Sequence, residues 1–142
     1  MSPSLLSDAV HLLHSGGFTC VLCSRSRVLT SAKRGIAPLL EWIEAGEDLR
    51  GVCCADKIIG RAAALLLVRC GASAAHGDVM SAAAKELLEA NGVAVSYDAL
   101  TEQIINRRGD GPCPMEQAVA GLTDPAAAPQ VLREALNKLS QQ

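Results

Sequence analysis

The stretch from Lys57 to Cys70 is apolar on almost every side. It reads Lys57-Ile58-Ile59-Gly60-Arg61, then Ala62 to Val68 without a charge, and ends on Arg69 and Cys70. Its length and its alanine and leucine content predict a helix, and a helix apolar nearly all round must be buried on most of its sides. Val52-Cys53-Cys54-Ala55 before it predicts a short apolar strand, with Asp56 at the helix N-cap and Gly71 as the C-cap. The run is too broken for a membrane span, which needs roughly 18 to 20 unbroken apolar residues. Gly60 and Arg61 interrupt it and Arg69 closes it.

The flanking segments supply layers to bury such a helix. Ser4 to His14 carries Leu5, Leu6, Val10 and Leu13 near helical spacing, and Gly16-Gly17 stops it. Phe18 to Cys23 and Val28 to Thr30, around the polar Ser24-Arg25-Ser26-Arg27, predict a β-hairpin. Pro38 stands in the first turn of a helix carrying Leu39, Leu40, Trp42 and Ile43, where the missing N–H costs nothing. Ser73 to His76 reads as a weak strand, and Asp78 or Ser81 begins a helix that Asn91-Gly92 ends. Val93 to Tyr97 is a fifth strand. Beyond the loop Asn106 to Gly111 come a short helix and a final one from Asp124-Pro125 to Leu139. A hairpin followed by β–α–β units predicts an α/β fold: a three-layer α/β/α sandwich with a five-stranded mixed sheet. At 142 residues one domain, 1–142, is expected.

Composition narrows the function classes. Aromatic residues are 2% of the chain, one each of Phe, Tyr and Trp, so no base-stacking platform exists. The formal charge of −2 lacks the basic footprint of a nucleic-acid binder. Neither a membrane nor a nucleic acid is an expected partner. The N-terminus shows no basic region ahead of an apolar stretch, and a domain of this size does not need its six cysteines as disulfides. A cytoplasmic, reduced protein is expected.

Three segments carry a resemblance. Gly46-Glu47-Asp48-Leu49-Arg50-Gly51, then Ala55-Asp56-Lys57-Ile58-Ile59-Gly60-Arg61-Ala62-Ala63-Ala64, then Cys113-Pro114-Met115-Glu116 resemble a small bacterial family of unknown function. That family has the cytidine-deaminase-like fold, and the likeness runs from about Phe18 to the last helix. The resemblance implies a fold and no settled activity. Zinc deaminases place His-x-Glu or Cys-x-Glu at one helix start and Pro-Cys-x-x-Cys at the next. Here those places read Arg34-Gly35-Ile36-Ala37-Pro38 and Ala55-Asp56-Lys57-Ile58-Ile59-Gly60, so an active zinc deaminase is not expected. No metal or other cofactor is assigned.

The polar residues left at that corner are the candidates for binding. Asp56 reads first as a helix cap, but Lys57 and Arg61 oppose the positive end of a helix dipole unless an anion is near. With Arg34 and Gly35 they would hold a phosphate or carboxylate at free backbone N–H groups. His76 and Asp78, at the end of a strand near the same rim, are candidates for the same pocket, with Tyr97 and Asp98 behind them. Cys113, held between prolines, is the candidate nucleophile or redox thiol, with Arg107 and Arg108 upstream to lower its pKa and Glu116 to assist. The plain alternatives are a buried Cys113 anchoring a loop and a Glu116 that caps or begins the short helix.

Other thiols and imidazoles read as structural. Cys20-x-x-Cys23 and Cys53-Cys54 lie on strands, where residues three or one apart face opposite sides, so core packing is expected for all four. Cys70 is expected in the core as well. His11 and His14 sit three apart on the first helix and could share a face, but two histidines do not make a metal site without further ligands, so surface placement is expected for them. The leading functional expectation is a domain that binds a nucleotide-like or other anionic small molecule in the former active-site pocket. The alternatives are a different class of enzyme using Cys113, and an oligomerisation or interaction module that buries Trp42 and the apolar helices against another copy or partner.

Overall fold

The computed structural model describes residues 3–105, 109 and 111–140. In chain order these form α1 (Pro3–Ser15), β1 (Cys20–Cys23), β2 (Val28–Ser31), α2 (Ala37–Glu44), β3 (Cys53–Ile59) and α3 (Arg61–Cys70). There follow β4 (Ala74–Ser81), α4 (Ala82–Ala90), β5 (Ala94–Thr101), α5 (Pro114–Ala118), a 3-10 turn (Pro125–Ala127) and α6 (Ala128–Ser140). The five strands make one mixed sheet in the order β2-β1-β3-β4-β5. β1 is antiparallel to both β2 and β3, whereas β3, β4 and β5 run parallel.

The strand register sorts the side chains onto two faces. Cys20 lies opposite Asp56 and Leu22 opposite Cys54, and these face the layer that holds α2, α3, α4 and α6. Val21 opposite Ala55 and Cys23 opposite Cys53 face the other way, where α1 covers them with Ala9 and Leu13. The divergence expected within Cys20-x-x-Cys23 and Cys53-Cys54 is therefore present. α3 is the centre of the larger layer: Ala62 to Leu67 are all buried. Leu65, Leu66 and Leu67 are fully so, and each contributes about 1.5–3 kcal/mol relative to an exposed position. Trp42 packs half-buried against this same core.

Local signals explain most element ends. Pro38 lies in the first turn of α2. Gly71, with φ of 80°, closes α3 in the left-handed conformation that a side chain resists. Ser81 begins α4, its hydroxyl accepting from the Ala84 N–H at 3.1 Å.

Several boundaries differ from expectation, β5 among them, which runs on to Thr101. Asp56 and Lys57 do not start a helix; they continue β3, and α3 begins at Arg61 with Gly60 as its N-cap. A short apolar run cannot distinguish a buried strand from a buried helix by periodicity. Parallel pairing decides it here, with Ile58 opposite Val79 and Ile59 opposite Met80. By the same pairing β4 runs on through Gly77 and Asp78, so the helix after it starts at Ser81 and not at Asp78. No helix among the described residues is long and apolar enough to cross a membrane.

Candidate ligand-binding site

A pocket of about 640 Å³ opens at the carboxyl end of β3, where that strand hands over to α3. Ligand sites in open α/β sheets favour this end of the strands. Its walls are apolar: Ile36 from the approach to α2, Ile58 from β3, Ile104 from the loop after β5, Met115 from α5, and Leu136 and Leu139 from α6. Arg34, Gly35, Asp56, Lys57, Cys113 and Glu116 also line it, so six of the sequence candidates share one cavity.

Asp56 is its buried acid. The residue is 6% exposed, and its carboxylate accepts a hydrogen bond from the Ile58 N–H at 3.2 Å. Burial raises its pKa to about 7, against the lowering effect of hydrogen bonds from the Ile58 N–H, Cys20 and the Lys57 N–H. Cys20 and Cys54 stand beside it, the three donor atoms lying within 4.8 Å of one another. The Cys20 thiol is pushed well above its ordinary value, by its hydrogen bond to Cys54 first and by burial second. The surroundings of Cys20 and Asp56 thus favour retained protons over a charged ligand set.

The cations divide between two tasks. Arg34 and Lys57 are exposed at the pocket and make no ion pair among the described residues. Arg61 turns away: its guanidinium donates to the carbonyls of Val119 (3.4 Å) and Leu122, beyond the end of α5. It does not line the pocket, because α3 begins at Arg61 itself and its side chain leaves on the α5 side.

The start of α3 already has its anion. Glu116 Oε1 accepts from the Arg61 N–H and Oε2 from the Ala62 N–H, each at 2.7 Å. Two of the free donors of the helix are thereby satisfied by a carboxylate from another element. Gly60 permits the approach, since a Cβ there would lie 2.6 Å from the Glu116 carboxyl carbon. An external phosphate cannot take the same N–H groups without displacing Glu116. With both oxygens engaged, Glu116 is a helix cap, as the plainer sequence reading expected, though of α3 from outside and not of its own short helix.

His76 and Asp78 do not reach this pocket. Ala55 lies opposite His76 in the β3–β4 register, which puts the imidazole on the α1 face of the sheet. The expectation failed because side chains alternate along a strand: nearness to a strand end does not say which face a residue takes. On that face His76 Nδ1 lies 2.8 Å from Ser96 Oγ, and Asp78 Oδ1 lies 3.1 Å from His76 Nε2 and 2.8 Å from His14 Nε2. Tyr97 and Asp98 belong to the middle of an exposed β5 and not to its end.

The six cysteines are free thiols. Cys113, at the N-cap of α5, and Cys70, at the end of α3, are both half-buried, and burial raises the pKa of Cys70 to about 11. Arg107 and Arg108, expected to act on Cys113, lie outside the described residues. Sequence reasoning did not place Thr19 at the pocket, nor Cys20 and Cys54 beside Asp56. For Cys20 the signal is the pairing of β1 with β3, which no local pattern encodes, whereas Cys54 stands two residues before Asp56 on β3 and shares its face by alternation.

A family model described as "TM1506: Domain of unknown function (DUF1893)" matches residues 8–136. The crystal structure of a DUF1893 family protein (TM1506) from Thermotoga maritima superposes with a TM-score of 0.83 at 27% identity, covering 97% of this chain and 92% of that one. A diaminohydroxyphosphoribosylaminopyrimidine deaminase/5-amino-6-(5-phosphoribosylamino)uracil reductase from the same organism matches at 14% identity with a TM-score of 0.44. That match covers 66% of this chain and 35% of that protein. No curated protein matches the chain.

Proposed function

The chain belongs to the DUF1893 family, whose function is unknown, and from that premise we propose that its β3–α3 pocket binds a small molecule with an apolar or heteroaromatic body and an anionic group, such as a nucleotide. The observation that carries the reading is the cavity itself: about 640 Å³, with apolar walls and two rim cations that have no ion-pair partner among the described residues. That volume lies within the range of small-molecule sites, which combine apolar lining with a few convergent polar groups. In this reading Arg34 and Lys57 hold the anion at the mouth. The buried Asp56 carboxyl offers a hydrogen bond to the body of the ligand. The start of α3 takes no part, because Glu116 already fills it.

Thermal denaturation in the presence of nucleoside monophosphates, aromatic carboxylates and inorganic phosphate tests the proposal. A ligand held by both the walls and the rim raises the melting temperature by an amount that grows with the logarithm of its concentration above Kd. Lys57→Ala or Arg34→Ala weakens its binding by about 10- to 100-fold, the loss of one hydrogen bond to a charged group. Stabilisation by inorganic phosphate alone, or by nothing in the panel, counts against the reading.

A further inference from the structure

On the α1 face of the sheet, across the sheet from the pocket, four metal-ligating side chains from three elements converge. His14 comes from the last turn of α1, His76 and Asp78 from β4, and Asp98 from β5. His14 Nε2 lies 2.8 Å from Asp78 Oδ1, His76 Nε2 lies 3.1 Å from the same oxygen, and His76 Nε2 lies 3.9 Å from Asp98 Oδ1. One donor atom each of His14, Asp78 and Asp98 falls within 4.8 Å of the others. We propose that this cluster is a binding site for a divalent first-row transition-metal ion of the zinc type.

The donor chemistry fits. Imidazole nitrogen and carboxylate oxygen bind Zn²⁺ at about 2.0–2.2 Å, so neighbouring donors of a tetrahedral site stand roughly 3.3–3.5 Å apart. The separations of 2.8, 3.1 and 3.9 Å lie on either side of that spacing, so these donors would part or close by about half an ångström around an ion. Two neutral imidazoles and two carboxylates bring a charge of −2, which a divalent ion neutralises. Among the described residues, no lysine or arginine forms an ion pair with Asp78 or Asp98; their partners are these imidazoles.

His76 is also held as a ligand should be. Its Nδ1 bonds to Ser96 Oγ at 2.8 Å, leaving Nε2 turned toward both carboxylates. A hydrogen bond to the remote ring nitrogen is how proteins orient ligating histidines. The buried imidazole, with its side chain 8% exposed, forms the floor of the site. His14 at 48% and Asp98 at 65% form its open side, through which an ion can enter.

A plainer role exists for part of the cluster, since His14 to Asp78 alone would tether α1 to the sheet. Asp98 separates the two. It is mostly exposed and stands 3.9 Å from His76, outside hydrogen-bond range, so a tether has no use for it. The test is titration of the untagged, chelator-treated full chain with Zn²⁺ by calorimetry and with Co²⁺ by absorption. The proposal expects one equivalent bound, with visible d–d bands and no thiolate-to-cobalt charge-transfer band. Asp98→Asn should weaken the affinity at least tenfold without changing the melting temperature of the metal-free protein. His14→Ala should also weaken it at least tenfold, and Ser96→Ala by about tenfold. A thiolate band would assign the ion to cysteines and overturn the proposal. Absence of binding, or binding indifferent to Asp98→Asn and His14→Ala, would overturn it equally.

Discussion

The backbone N–H of Arg61 donates to Glu116 Oε1 at 2.7 Å across 55 residues of sequence. The second oxygen of the same carboxylate takes the Ala62 N–H, so the first turn of the most buried helix depends on α5. Glu116→Ala leaves both donors without their partner. The expected loss is about 1–3 kcal/mol, seen as a lower urea midpoint with an unchanged slope. Glu116→Gln keeps one acceptor oxygen and should fall between wild type and the alanine variant. Equal stability of all three would mean that the cap adds nothing.

Asp56 makes the stability of the chain depend on pH in a direction unusual for a carboxylate. Its pKa rises from 3.8 to about 7 on folding, because burial penalises the charged form. Between those values the folded chain keeps a proton that the unfolded chain has released. Stability from this group is therefore full below about pH 4, falls as pH rises toward 7, and is level above. Asp56→Asn removes the decline and can still accept the Ile58 N–H. At pH 8 the variant should be more stable than wild type, by as much as roughly 4 kcal/mol, and the advantage should shrink toward pH 4. Denaturant melts across that range check it, and parallel curves would refute it.

Thiol chemistry discriminates between the cysteines. Cys113 is half-buried at the pocket, Cys70 has its pKa raised to about 11, and Cys20, Cys23, Cys53 and Cys54 are buried. Maleimide labelling of the native protein at neutral pH, read by peptide mass spectrometry, should modify Cys113 first and Cys70 slowly. The other four should react only on unfolding. A ligand seated in the pocket should slow the labelling of Cys113.

The sequence made the layers and most of the punctuation legible. Pro38, Gly71 and Ser81 act where their backbone chemistry suits them, and the apolar run before Cys70 is the buried helix it suggested. What it concealed was everything decided by pairing. Asp56 and Lys57 read as a helix start because an apolar run carries no period, yet parallel contacts with β4 hold them in a strand. His76 was assigned to the pocket because its strand ends nearby, but alternation turns it to the α1 face. The start of α3 called for an anion, and its Arg61 and Ala62 N–H groups find one in Glu116, on an element that no local pattern joins to α3; Lys57, on β3, takes no part in that contact. Cys20 and Cys54 each came from a pair dismissed for divergence. Divergence held within each pair, and one member of each then met Asp56 on the same face.

An anionic small molecule held in the β3–α3 pocket should travel with the purified chain. Native mass spectrometry of the freshly purified chain, beside its Lys57→Ala and Arg34→Ala variants, tests this most directly. The account predicts an added mass of nucleotide size on the wild type that is weakened or lost in both variants. A wild type that carries no such mass and acquires none when nucleotides and aromatic carboxylates are supplied would contradict it. So would a bound mass that persists undiminished in both variants.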